Sequence, residues 1–211
     1  MATPSDGSRK RKAPRLYRIK LNSRISKPPG WELENFAALG IGRVLRPPRG
    51  KRGFPSLSET PRLLIDKSLG RPPVDWEMFH DFWLVSDRMK SVLEAVDREG
   101  VAFLKCETRS LKGDAPVYWL CDVVRRLDVI DEEKSIVEVL DDGTDYRRYN
   151  GTAISRYVFR EEAIGSAHIF RPRFLEQWIL CDQVMKGACK AAGVRGLSFG
   201  YAYGNYEGLD P

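Results

Sequence analysis

The chain has 211 residues, 42% of them apolar and 30% charged, with four cysteines, two histidines and a net charge of +6. That length holds one ordinary domain, with or without a tail, and a core that needs no disulfide or metal staple; no apolar run approaches the roughly 18 residues of a bilayer span, and no apolar stretch follows the basic N-terminus as in a secretory signal. The charge is divided: residues 1–73 hold 17 Lys/Arg against 5 Asp/Glu (+12), and residues 74–211 hold 18 against 24 (−6).

Residues 1–15 are polar, basic and too poor in apolar side chains to offset their ordering entropy, which predicts a disordered tail. Its run Ser8-Arg9-Lys10-Arg11-Lys12 is a common, unspecific feature and reads first as solvated chain. Leu16 to Leu21 alternates and predicts the first strand. Lys27 to Gly30 reads as a turn and Trp31 to Leu39 as a short helix or irregular segment. From Gly40 to Pro73 glycine and proline recur, leaving room for turns and short strands such as Leu63-Leu64-Ile65-Asp66. This stretch reads as a loop-rich lobe or arm.

The density of rings at Trp76, Phe79 and Phe82 predicts a segment pinned to a core. Phe82 to Val85 reads as a buried strand and Ser86 or Asp87 as the cap of a helix running to about Glu99. Met89, Val92, Leu93 and Val96 form its apolar stripe, and Gly100 sits where a left-handed helix stop places glycine. Val101 to Glu107 and Val117 to Val124 read as strands, the second with Tyr118 and Leu120 on one face and Trp119 and Cys121 on the other. Ser135 to Leu140 reads as another strand. Ile154 to Phe159 alternates, with Ile154, Tyr157 and Phe159 inward. His168 to Arg171 and Trp178 to Leu180 are short strands. Asp182 caps a second helix with Val184, Ala188 and Ala191 on its buried face, Gly193 ends it, and Leu197 to Phe199 follows as a strand.

The pattern strand, capped helix, glycine, strand thus occurs twice, at residues 82–104 and 178–199. Each helix has one apolar face, which predicts an α+β fold with few helices packed on a mixed or antiparallel sheet, two strand–helix–strand pseudo-repeats and a loop-rich N-terminal lobe. The expected organisation is a basic tail at 1–15, a Pro/Gly-rich lobe at 16–73 and an α+β domain at 74–211, with 16–211 folding as one unit.

The constellations that reactions need are missing from the sequence. It contains no phosphate-cradling glycine loop, no dinucleotide fingerprint and no nucleophile elbow. His80 and His168 are the only imidazoles, and both sit among apolar residues, where a buried structural histidine is the better reading. Cys106, Cys121, Cys181 and Cys189 lack metal-ligand spacing and read as free buried thiols. A Cys181–His dyad is disfavoured because Cys181 is placed as the counterpart of Ser86, just before a capping aspartate. No catalytic residue, metal or cofactor is expected.

The acidic clusters Asp131-Glu132-Glu133, Asp141-Asp142 with Asp145, and Glu161-Glu162 also lack metal-loop spacing. They read as solvated turns, or as a rim complementary to a basic partner.

Trp83-Leu84-Val85-Ser86-Asp87-Arg88-Met89-Lys90, Tyr118 to Val124 followed by Leu127-Asp128, His168-Ile169-Phe170-Arg171 and the block from Ile179 to Phe199 give residues 80–200 a resemblance to the Imm11 immunity family, also described as DUF1629. The resemblance implies a bacterial, cytoplasmic, non-catalytic antitoxin that binds and neutralises a cognate secreted toxin of a polymorphic toxin system, encoded nearby. It brings no cofactor and no catalytic residue. Interface hot spots favour exposed aromatics and arginines, which singles out Tyr146, Arg147, Arg148 and Tyr149 beside Asp141, Asp142 and Asp145 as the partner-binding candidates. The alternative is a nucleic-acid-binding protein using the basic N-terminal region. It is disfavoured because aromatics and basic residues are not interleaved there as in a base-stacking platform. An unrecognised enzyme built on His168 and nearby carboxylates is the weakest reading.

Overall fold

The computed structural model describes residues 15–25, 27–39, 44–48, 50–111, 113–140, 147–150 and 155–202. Most of the expected basic tail, and Ile154 of the alternating segment, lie outside these residues.

The described elements are, in order, β1 (Tyr17–Leu21), β2 (Trp31–Leu33), β3 (Arg62–Ile65), β4 (Trp76–Phe79), β5 (Phe82–Ser86), α1 (Asp87–Asp97), β6 (Val101–Lys105), β7 (Glu107–Ser110), β8 (Tyr118–Val123), β9 (Arg126–Leu127), β10 (Val139–Leu140), β11 (Arg148–Tyr149), β12 (Ile169–Pro172), β13 (Ile179–Cys181), α2 (Gln183–Ala191) and β14 (Leu197–Tyr201). The fold is α+β, with two helices and mostly antiparallel sheets, as the sequence predicts.

Two sheets carry the architecture. One has the order β4-β5-β8-β6, the other β14-β1-β13-β12-β9. The pseudo-repeats occupy equivalent places in them: β4-β5-α1-β6 in the first, β12-β13-α2-β14 in the second. In each sheet the strands flanking the helix run parallel to one another with an antiparallel strand between them. That inserted strand is β8 in the first sheet and β1 in the second. Along the chain, β1 precedes the first repeat and β8 precedes the second. Each repeat's leading strand is therefore built into the other repeat's sheet, and the two halves are interlocked by strand exchange.

Counterparts in the repeats stand 96 positions apart, Ser86 against Asp182 and Gly100 against Gly196. Ser86 Oγ accepts from the Met89 amide at 3.2 Å and Asp182 Oδ1 from the Met185 amide at 3.0 Å, so both helices begin on a side-chain cap. Cys181 therefore corresponds to Val85, and Asp182, not Cys181, is the counterpart of Ser86. Asp87 and Gln183, each the first residue of its helix, accept from a ring on the exchanged strand. Trp119 Nε1 donates to Asp87 at 3.1 Å, and the Tyr17 hydroxyl to Gln183 at 2.7 Å.

The inner faces of both sheets and both helices share one core, with Met89 and Leu93 from α1, Met185 and Cys189 from α2, and Trp76, Val85, Val123, Ile169 and Ile179 from the strands. Full burial of each larger apolar side chain contributes about 1.5–3 kcal/mol. The buried face of α2 differs from the expectation: Val184 is 54% exposed, Ala191 is exposed, and Met185 and Cys189 point inward. The cap at Asp182 sets this phase, because it places Met185 where Met89 stands in α1. Gly193 has the expected left-handed φ of 63°, but Gly100 does not lie in that region. It ends a 3-10 turn and is buried.

The outer face of each sheet is covered by a lobe. Leu45 and Leu63 of the N-terminal lobe cover Phe79, Phe82, Leu84, Tyr118 and Leu120 of the first sheet. The connection between β8 and β12 covers Leu16, Phe170 and Leu180 of the second with Val129, Tyr149, Tyr157 and Phe159. The two faces of β8 are divided as its alternation predicts. Trp31–Leu33 is a strand, not a helix, because it pairs with β3; Phe36–Leu39 adds a 3-10 turn. The expected strand over Val101–Glu107 breaks at buried Cys106, whose amide bonds Tyr118 O while Glu107 N turns to Pro61 O, so β7 joins β3 in a different sheet. Of Ser135–Leu140 only Val139–Leu140 is a strand, and Ile136 makes an isolated bridge to Arg156.

Candidate interaction cleft

The site is built around a buried carboxylate. Alternation in β8 puts Asp122 on the outer face with Tyr118 and Leu120, where the N-terminal lobe covers it and it is fully buried. Arg52 of the N-terminal lobe grips it with both ends of its fork, Nε donating to Oδ2 at 3.1 Å and Nη2 to Oδ1. The Gly53 amide donates to Oδ2 at 2.7 Å. From β12, Arg171 Nη2 lies 3.4 Å from Oδ1, while its Nε donates to Val123 O at 3.0 Å and its Nη1 to Glu176 O. Burial, reinforced by the nearby Arg52 charge, lowers the Arg171 guanidinium to about 10, so it stays charged at neutral pH. One carboxylate thus ties together the N-terminal lobe, the first sheet and the second sheet.

Above this knot opens a cleft of ≈670 Å³. Its floor includes Arg171, Phe82 and half-buried Trp83. One wall is the β4–β5 turn, with Met78 (56% exposed), His80 and Asp81. The other is formed by Arg126, Arg147, Arg148 and the segment from Arg173 to Gln177. Six arginines line the cleft, with two acids, Asp81 and Glu176. Several arginines are engaged: Arg52 and Arg171 share Asp122, Arg126 reaches Glu176 at 3.2 Å, and Arg147 reaches Glu132 at 2.5 Å. Arg148 and Arg173 are exposed and, among the described residues, have no carboxylate in ion-pair contact. Arg173 and Arg147 stack over Phe174, at 4.8 and 5.2 Å from its ring centre.

Of the partner-binding candidates from the sequence, Asp141, Asp142, Asp145 and Tyr146 lie outside the described residues. Arg147 and Arg148 line the cleft. Tyr149 does not present a surface: its ring is buried against Phe174 at 5.8 Å, and its hydroxyl donates to Glu132. The Tyr149 hydroxyl and then Arg147 hold the Glu132 carboxyl below its ordinary range. Asp131 closes its own turn, accepting from the Lys134 amide at 3.2 Å and its ammonium at 2.7 Å. These acids are spent on internal contacts.

The histidines have structural settings. His168 Nδ1 lies 2.8 Å from Asp182 Oδ2, the carboxylate that caps α2, and its ring is half-buried. His80 is exposed, contrary to the expectation of burial. It turns the β4–β5 hairpin at φ 52° and stacks on Phe36 at 5.4 Å. All four cysteines are free and buried. Burial pushes their thiols up, Cys106 to about 12 and Cys189 to about 11. Cys181 is on β13, not on the helix that carries Cys189. Among the described residues no group of three or more His, Cys, Asp or Glu is placed to hold a metal ion, and no helix is long and apolar enough to cross a membrane.

The cleft's other components, Arg52, Arg126 and Arg173, escape sequence reasoning because they come from three distant segments. Only the doublet Arg147-Arg148 is a local signal. An arginine-lined, partly aromatic cleft is equipped for recognition of anionic groups. The model of the immunity protein family Imm11 matches residues 15–204, which includes the N-terminal lobe as well as both repeats, and the chain belongs to that family. No curated protein matches the chain.

Proposed function

We propose that this protein is a cytoplasmic, non-catalytic antitoxin that neutralises a cognate toxin by binding it. The observation that carries this reading is membership of an immunity protein family over nearly the whole folded chain. The settings of the polar groups agree with it: His168 and Asp182 secure a helix start, and Asp122 ties the N-terminal lobe to both sheets, so these groups serve the scaffold. A stable complex of ordinary size buries about 1,600 Å² in total.

The test is co-purification of the chain with the product of a neighbouring toxin-like gene, followed by assay of the toxin with increasing amounts of the purified protein. Stoichiometric inhibition by a complex that survives gel filtration is expected. Absence of a complex between the two folded proteins would overturn the reading.

A further inference from the structure

We propose that the arginine-lined cleft is the docking site for an acidic segment of the partner protein, with Arg148 and Arg173 making the charge contacts. The proposal rests on the antitoxin reading and adds the surface and the chemistry of what it binds. Three observations support it.

The first is charge. The six arginines of the cleft face four carboxylates, Asp81, Glu176, Asp122 and Glu132, which leaves two positive charges unbalanced among the described residues. Arg52 and Arg171 share the single charge of Asp122, and the exposed Arg148 and Arg173, at the mouth, make no ion pair among the described residues. The arginines held by Asp122 lie deeper and fix the floor.

The second is composition. Exposed Met78, the half-buried Trp83 and Phe174 beneath Arg173 set apolar and aromatic surface beside guanidinium groups. Arginine, methionine and aromatic residues are the types enriched where proteins bind proteins.

The third is the placement of the acids. Glu176 lies among the arginines of one wall and Asp81 on the wall that faces them. They oppose a continuous row of phosphates but leave room for carboxylates spaced along a peptide and aimed at the mouth. That favours a protein segment over a nucleic acid strand.

The experiment measures toxin affinity for the full chain and for the double variant Arg148→Glu/Arg173→Glu, with Lys20→Glu/Lys190→Glu, exposed and outside the cleft lining, as a charge-reversal control. Thermal melting checks that all three are folded. The double variant is expected to bind about 100-fold more weakly or worse, and the wild-type affinity to fall with added salt, whereas the control binds normally. A folded double variant that binds the toxin like wild type overturns the cleft assignment and leaves the antitoxin reading standing. A wild-type protein that does not bind the toxin overturns both. A single-stranded oligonucleotide titrated into the same proteins provides the remaining arm. If the double variant loses oligonucleotide binding but keeps toxin binding, the cleft is a nucleic-acid site and the proposal fails.

Discussion

The backbone of Gly100 lies against the carbonyl of Ile169, so that a Cβ on this glycine would stand 2.9 Å from the oxygen. Gly196 lies in the same way over Trp76, where a Cβ would stand 2.6 Å from the carbonyl oxygen. Gly100 and Gly196 are counterparts, and Ile169 and Trp76, the first residues of β12 and β4, are equivalent by pairing, opposite the counterparts Cys181 and Val85. Each repeat therefore seats its glycine on the first strand of the other repeat, the reciprocal pattern of an isologous dimer interface within one chain. Hydrogen bonds follow the same reciprocity: Val124 N donates to Gly100 O at 2.9 Å and Asn22 N to Gly196 O at 3.0 Å.

Alanine at either glycine is expected to destabilise the fold. For Gly100→Ala the cost is about 1–3 kcal/mol, because backbone and the Ile169 side chain must give way. Gly196→Ala costs more, since its φ of +100° adds about 1–3 kcal/mol of strain. Urea unfolding of the two variants against wild type measures both values and their order.

Strand exchange predicts that neither half folds alone. A fragment of residues 15–111 lacks β8 from the middle of its sheet, and a fragment of 113–211 lacks β1 from the middle of the other. Each fragment alone is expected to show no cooperative thermal transition by circular dichroism, and the mixture to recover one. A cooperative transition in either isolated fragment would contradict the interlocked unit.

Loss of the Asp122 carboxylate leaves Arg171 buried without its counter-charge. Asp122→Ala is expected to cost about 3–5 kcal/mol, the range for breaking a buried ion pair from one side. It also frees the Arg52–Gly53 segment from β8. Denaturant unfolding gives the energy, and faster proteolysis near Arg52 reports the release.

Asp97 joins the end of α1 to the start of β12, accepting from the His168 amide at 2.8 Å, the Ile169 amide at 3.2 Å and the Arg125 guanidinium. Burial alone pushes its carboxyl up, but the His168 amide, Arg125 and the Ile169 amide together outweigh it and hold the group below its ordinary value. A carboxyl depressed in the folded state contributes stability that is present above the unfolded value, about 4, and is lost as pH falls through the lower folded value. Stability is therefore expected to drop below about pH 4, with a shallower drop in Asp97→Asn. Urea midpoints between pH 2.5 and 7 measure the difference.

The two repeats are legible in the sequence through local signals, a capping side chain, an apolar stripe and a glycine after each helix (Gly100 and Gly193), whereas the structural counterpart of Gly100 is Gly196. The sequence does not reveal the exchange of β1 and β8. The equivalent residues Tyr17 and Trp119 share only a ring and a hydrogen bond to a helix start, and strand order is set by contacts far apart along the chain. The apolar pattern of α2 misplaces its buried face because Val184 is apolar yet lies on the outward side fixed by the Asp182 cap. Gly100 reads in the sequence as a conformational stop, but its role in the fold is close approach to a strand distant in sequence. Of the cleft, only Arg147-Arg148 stood out, since the Arg52–Asp122–Arg171 knot joins residues separated by 70 and 49 positions.

The most direct test of the central claim is the growth of cells that produce the neighbouring toxin-like protein, with and without this chain. Restored growth on co-production is predicted, with a complex of the two recovered from the same cells. Persistent growth arrest while both proteins are soluble and abundant would contradict the antitoxin function.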